Sequence, residues 1–240
     1  MSEPHPGYQP PPVAIKPPPH GHVPHHPYLQ HHFDSMAQQA EASTLGMWVF
    51  LVTEIMFFGG LFTAYLVYRH QSPLGFQEAS HHLNIYWGAA NTAILIISSL
   101  TMALAVRAAQ TSQPVRTQIT YLGYTMFLGL AFLGIKAIEY TDKFKDHIVP
   151  GPYFQWEGLY PKPAEQFYSL YFAMTGLHAL HMVIGIGIMS VITFMAWRKT
   201  FDSDYYTPVE VAGLYWHFVD IVWIFLFPLL YLIGRHYHAG

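Results

Sequence analysis

The chain has 240 residues, 52% of them hydrophobic and 10% charged, where a typical soluble domain carries about 25% charged residues. That balance points to lipid as the solvent. A formal net charge of −3 argues against nucleic-acid binding, and the absence of cysteine excludes disulfides and thiolate metal sites.

Residues 1 to about 33 differ from the rest, holding ten of the 18 prolines and seven of the 16 histidines. With almost no aliphatic content, this stretch is expected to form a disordered Pro/His-rich tail. Its irregularly spaced histidines read as low-complexity sequence, not as a metal site. No charged n-region with a short apolar stretch opens the chain, so no cleaved signal peptide is predicted, and the first apolar run would itself direct insertion. Residues 34–240 then read as one all-α membrane unit. Asp34 or Ser35 is placed to cap a helix starting at Met36.

Five apolar runs follow, each long enough for the roughly 20 residues a spanning helix needs. They fall at about 44–68, 85–106, 118–140, 168–197 and 211–234. A longer connection at 141–165 carries Pro150, Gly151, Pro152, Gly158, Pro161 and Pro163. Thr207, Pro208 and Glu210 suggest N-cap, N1 and N3 of the last helix. Tyr65, Tyr68, Tyr86, Trp87, Tyr168, Tyr171, Trp197 and Tyr231 sit near run ends, where interfacial anchors are expected. Gly60 with Ala64, and Ala89 with Ala93, offer small surfaces for close helix contact. No internal repeat is evident, which counts against an inverted-repeat transporter.

Basic residues are nearly balanced between the two sides of such a bundle. Lys16, Arg107, Arg116, Arg198 and Lys199 share the N-terminal side, against Arg69, Lys143, Lys145, Lys162 and Arg235 on the other. Four of the first group lie in two short loops, which favours a cytoplasmic N-terminus and a periplasmic C-terminus.

Ionisable groups inside spans carry the chemistry, because each costs about 2.5–3.5 kcal/mol to insert. Glu54 lies near the middle of the first run among Phe50, Phe57 and Phe58. It reads either as a proton-linked carboxyl or as an acid tying two helices together by hydrogen bonds. His178 and His181 share a face of the fourth run with Thr175, and His217 and Asp220 form a similar pair in the fifth. These groups and Glu54 fall at similar depths, so the expectation is one intramembrane polar layer. No compact ligand set accompanies them, which favours hydrogen bonds between helices over a bound metal. Lys136, Glu139 and Lys143, near the end of the third run, suggest a solvated interfacial charge cluster. The sequence contains no P-loop, dinucleotide fingerprint or nucleophile elbow.

Four segments, TEIMFFGGLFTAY (53–65), KAIEY (136–140), GLHALHMVIG (176–185) and YWHFVDIVWIFLF (215–227), resemble subunit III of the haem–copper oxidases, the cytochrome c oxidase subunit 3 family, in its short five-helix bacterial form. The resemblance implies a chain without redox centres of its own, with haem and copper held by partner subunits I and II of a complex that passes electrons from cytochrome c to oxygen and pumps protons. It implies support of proton uptake and protection of subunit I during turnover, in the bacterial inner membrane, with cytochrome c reached only through the complex. Glu54 matches the family's carbodiimide-reactive carboxyl. His178, His181, His217 and Asp220 match its polar positions in the last two helices, and Glu139 matches the carboxyl after its lysine- or glutamine-bearing segment. Phospholipids sit in the family's cleft, formed partly by two N-terminal helices that this chain lacks.

Two rival readings remain at this stage. Quinol oxidase subunits III share the five-helix form, but more often carry Asp and Phe where this chain has Glu54 and Tyr215. An independent proton-coupled transporter would use Glu54 and the histidines directly. An accessory protein of nitric oxide reductase is a more distant possibility.

Overall fold

The structure, a computed structural model, describes residues 27–201 and 205–232. Residues 1–26, most of the Pro/His-rich stretch, lie outside them, as does Arg235.

Among the described residues six α-helices run in order: α1 Met36–Gln71, α2 Pro73–His81, α3 Ile85–Gln110, α4 Val115–Lys145, α5 Pro161–Trp197 and α6 Thr207–Phe227, the last continuing into a π-helical turn at Pro228–Leu232. Five are long and apolar enough to cross a membrane. At 1.5 Å per residue α1 and α5 are each about 54–56 Å long, so both outreach a hydrocarbon core of about 30 Å.

Helix starts follow local chemistry. The Ser35 hydroxyl accepts from the Gln38 N–H at 3.2 Å to open α1, and Asn84 accepts from the Tyr86 N–H at 3.0 Å to open α3. Pro73 and Pro161 begin α2 and α5, where a missing N–H costs nothing. The capping box expected at Thr207 does not form. Tyr206 is the N-cap, and its carbonyl accepts from the Val209 and Glu210 N–H groups, so Thr207 and Pro208 are already helical.

Three helices end in one motif. The N–H of Gln113, Ile148 and Thr200 reaches back to the carbonyl of Ala108, Lys143 and Met195, and that of Ser112, His147 and Lys199 to Ala109, Phe144 and Ala196. These are Schellman ends, whose left-handed residue is usually glycine. Here Ser112, His147 and Lys199 hold it, at φ of 48°, 54° and 57°. Ser112→Gly is therefore expected to raise stability by up to about 1 kcal/mol, read as a higher melting temperature in detergent.

α3, α4, α5 and α6 close a four-helix ring in which each packs on two neighbours, and α1 lies against α5 and α6 from outside. Trp216 fills the ring's middle. Its indole meets the bare backbones of Gly129 on α4 and Gly185 on α5, and its Nε1 donates to Ser98 Oγ on α3 at 3.0 Å. The small pairs singled out in the sequence do not serve this packing, because Gly60, Ala89 and Ala93 face outward.

α2 was not foreseen. It packs on α5, and Glu78 Oε1 accepts from the Leu159 N–H at 3.1 Å, tying it to the connection after α4. That connection is also shorter than expected, 146–160, because α4 and α5 extend into it. Tyr65, Tyr168, Tyr171 and Tyr231 are at most 2% exposed, so they are core residues and not interfacial anchors. Their phenols supply hydrogen bonds the apolar interior otherwise lacks, such as Tyr65 OH to the Leu229 carbonyl at 2.9 Å. Tyr86 and Trp197 do face outward.

Candidate functional site

Glu54 sits on α1 where that helix crosses α5. Its Oε2 lies 3.1 Å from Nε2 of His181. The other ring nitrogen, Nδ1, is 2.8 Å from the Leu177 carbonyl. A carbonyl only accepts, so Nδ1 carries a hydrogen and the tautomer follows from the hydrogen bond. The Nε2···Oε2 contact then holds one proton between two groups. Neutral acid with neutral imidazole, or carboxylate with imidazolium, both satisfy it, and both leave the pair with no net charge. Tyr215 OH donates to the His181 carbonyl at 3.0 Å, fixing α6 beside them. The pair opens onto a cavity of about 610 Å³, lined otherwise by apolar side chains such as Phe50, Ile184 and Ile188. Chemically this is a two-helix proton-holding pair at the edge of the bundle.

The single polar layer expected from the sequence is not built; the groups divide among separate environments. His178, three residues from His181, points into the ring and is fully buried, its imidazole 5.2 Å from the Phe132 ring and 5.3 Å from Trp223. Neither of its nitrogens has a hydrogen-bond partner among the described residues. Thr175 pairs with Tyr140 OH at 2.6 Å. His217 Nδ1 meets Ser99 Oγ at 2.7 Å, on α3. Asp220 is buried, with no hydrogen-bond partner for either carboxyl oxygen among the described residues. The physical reason is angular. Three residues advance a helix by about 300°, so an i, i+3 pair still diverges by about 60°, enough to send His178 and His181 to different neighbours, while His217 and Asp220 stay beside the one Ser99 on α3.

The charge cluster needs a larger correction. Lys136, Glu139 and Lys143 are 2%, 4% and 7% exposed, so the cluster is buried and not solvated. Lys136 Nζ donates to Glu139 Oε2 at 2.9 Å, to Tyr171 OH at 3.0 Å and to Tyr231 OH at 3.2 Å. Both phenols donate to Glu139 Oε1, Tyr171 at 2.8 Å. The ammonium also lies 5.0–5.3 Å from the ring centres of Tyr171, Trp223 and Tyr140. This saturated arrangement is what a low-dielectric interior demands of an ion pair. Lys143 stands apart from it, donating to the His82 carbonyl at 2.8 Å.

Tyr171, Tyr231, Ser99 and Tyr215 were missed as site residues. The available signal was stoichiometric. A Lys–Glu pair within an apolar run has donors and acceptors that its two members cannot all satisfy, so nearby tyrosines on other runs were candidates to complete it. Among the described residues, no three His, Cys, Asp or Glu side chains converge on one point.

The fold and site define a multi-pass helical membrane protein whose ionisable groups lie between helices. The family described as cytochrome c oxidase subunit III matches residues 28–235. The chain is 34% identical to cytochrome c oxidase subunit 3 of Synechocystis, over 78% of this chain and 74% of the relative. It is 32% identical to cytochrome c oxidase subunit 3 of Thermostichus vulcanus, over 84% and 92%. It is 30% identical to cytochrome bo(3) ubiquinol oxidase subunit 3 of Pseudomonas aeruginosa, over 85% and 91%. The chain belongs to the cytochrome c oxidase subunit III family, and is subunit III of a haem–copper oxidase.

Proposed function

We propose that the chain is the subunit of a proton-pumping cytochrome c oxidase that carries no redox centre, working beside subunits I and II, which hold haem and copper. Electrons reach the complex from cytochrome c. The family match over residues 28–235 carries this reading. Two observations favour cytochrome c over quinol as donor: relatives named cytochrome c oxidase are 34% and 32% identical, against 30% and 28% for those named quinol oxidase, and Glu54 and Tyr215 follow the cytochrome c pattern. The quinol reading draws on the Pseudomonas relative, and oxidation of reduced cytochrome c by the purified complex separates the two.

In this reading residues 34–240 form the transmembrane unit after a Pro/His-rich tail. It lies in the bacterial inner membrane, among membrane lipids, with a cytoplasmic N-terminus and a periplasmic C-terminus. Glu54 is the functional carboxyl, and His181 is its proton partner. Its chemistry supports proton uptake and the working lifetime of subunit I, while His178, His217, Asp220 and the Lys136–Glu139 cluster hold the bundle and its contacts.

Glu54→Ala is expected to leave assembly intact, because the pair lies at the edge of the ring, and to shorten the active lifetime of the complex or its proton uptake several-fold. Proton pumping and inactivation during turnover are the measurements. Wild-type behaviour in both would remove Glu54 from the mechanism.

A further inference from the structure

Glu54 and His181 pair with each other across α1 and α5, whereas two ionisable groups of α6, His217 and Asp220, are left incompletely paired among the described residues. Among the described residues, both carboxyl oxygens of Asp220 are buried without a hydrogen-bond partner, and His217 has a partner for Nδ1 alone. The Ser99 hydroxyl that meets Nδ1 also lies beside Asp220 in the same groove, short of hydrogen-bonding geometry. If Nδ1 donates to Ser99, the hydroxyl is free to donate onward to Asp220. Nε2 of His217, on a side chain that lines two surface grooves, is then an acceptor with nothing to accept among the described residues.

Depth limits what can complete it. His217 stands ten residues after Thr207 and 15 before Leu232, about 15 Å and 22 Å from the two ends of a helix roughly 39 Å long, and so within about 4 Å of its midpoint. With that helix centred in a hydrocarbon core of about 15 Å half-thickness, lipid headgroups and bulk water lie about 11 Å or more from His217, and acyl chains have no donor. Polar side chains at this depth are held by other helices.

The surface around His217 has the form such a helix needs. Leu214, His217, Ile221 and Ile224 recur every three or four residues as one stripe along α6. The stripe is flanked by a groove of about 460 Å³ toward α1 and one of about 330 Å³ toward α3, and His217 and Ile221 line both.

We propose that this stripe seats a transmembrane helix of another oxidase subunit, which presents a hydrogen-bond donor to His217 at mid-membrane depth. The inference rests on the chain's place in an oxidase complex, and adds which face docks and by what chemistry.

The test uses the assembled complex, purified through a tag on this chain. A photo-reactive benzoylphenylalanine at Ile221, 50% exposed in the isolated chain, should cross-link to a helix of another subunit. Cross-linking to lipid alone, or to a second copy of this chain, overturns the proposal. In parallel, His217→Leu should lower retention of the chain by about tenfold through detergent washing. His217→Gln, whose amide oxygen replaces the Nε2 acceptor, should restore it. Full retention of the Leu variant, or loss of both variants alike, overturns the donor–acceptor contact. Haem co-purifying with the wild-type chain keeps the two levels distinct. Where haem is present and Ile221 meets only lipid, the docking face alone fails; where no haem-bearing subunit is retained, the oxidase reading fails and takes the docking face with it.

Discussion

Glu139→Leu is expected to destabilise the chain by about 3–5 kcal/mol, because it strands a buried ammonium. Lys136 would keep two phenol oxygens, but lose the only carboxylate with which it forms a buried salt bridge among the described residues. Tyr171 and Tyr231 would lose their shared acceptor at the same time. The double variant Lys136→Met, Glu139→Leu should recover most of that loss, since apolar side chains of similar size remove the need for pairing. Thermal unfolding of the wild type, both single variants and the double variant completes the cycle. Additive losses in the double variant would show that the pair is not coupled.

Trp216→Ala should cost a similar amount, about 3–5 kcal/mol, through the cavity left at the centre of the ring. The indole is fully buried, and Gly129 and Gly185 leave room for it alone; a Cβ on Gly129 would stand 2.8 Å from the ring. Those two helices cannot close the gap without moving their backbones, so little of the loss is recovered by relaxation. Gly129→Leu should be destabilising for the opposite reason, overpacking. A Trp216→Ala variant with wild-type melting behaviour would contradict this account of the core.

How far the sequence disclosed this molecule depended on which interaction decided each feature. The five long helices were legible, because a run such as 85–106 without a charge meets the bilayer's length requirement whatever its neighbours. The start of α1 was legible to within a residue, Asp34 or Ser35, since capping is local; Ser35 is the cap. Orientation of side chains was not. Tyr171 and Tyr231 looked like anchors because tyrosine near a helix end suits an interface, yet a buried Lys136–Glu139 pair draws both inward, and that demand arises only once three helices meet. His178 and His181 looked like one site until helix rotation separated them. Glu54 was legible as an ionisable group inside a span, but it is half-buried at the edge of the bundle and not the buried carboxyl expected, and its partner across 127 residues of chain could not be read from spacing. Thr207 misled for a smaller reason: the N-cap fell one residue earlier, at Tyr206.

Pro228 gives the end of α6 a wider meaning. A proline here has no N–H to return to the preceding turn and crowds the carbonyl four residues back, and the chain answers by widening into Pro228–Leu232. The widening slows the angular advance, so Tyr231 arrives at a different compass bearing from the one an unbroken helix would give it. That bearing is what brings its phenol to Glu139. A single proline ring thus bears on how fully a charge on another helix is solvated, linking the phase of α6 to the ionic chemistry of α4.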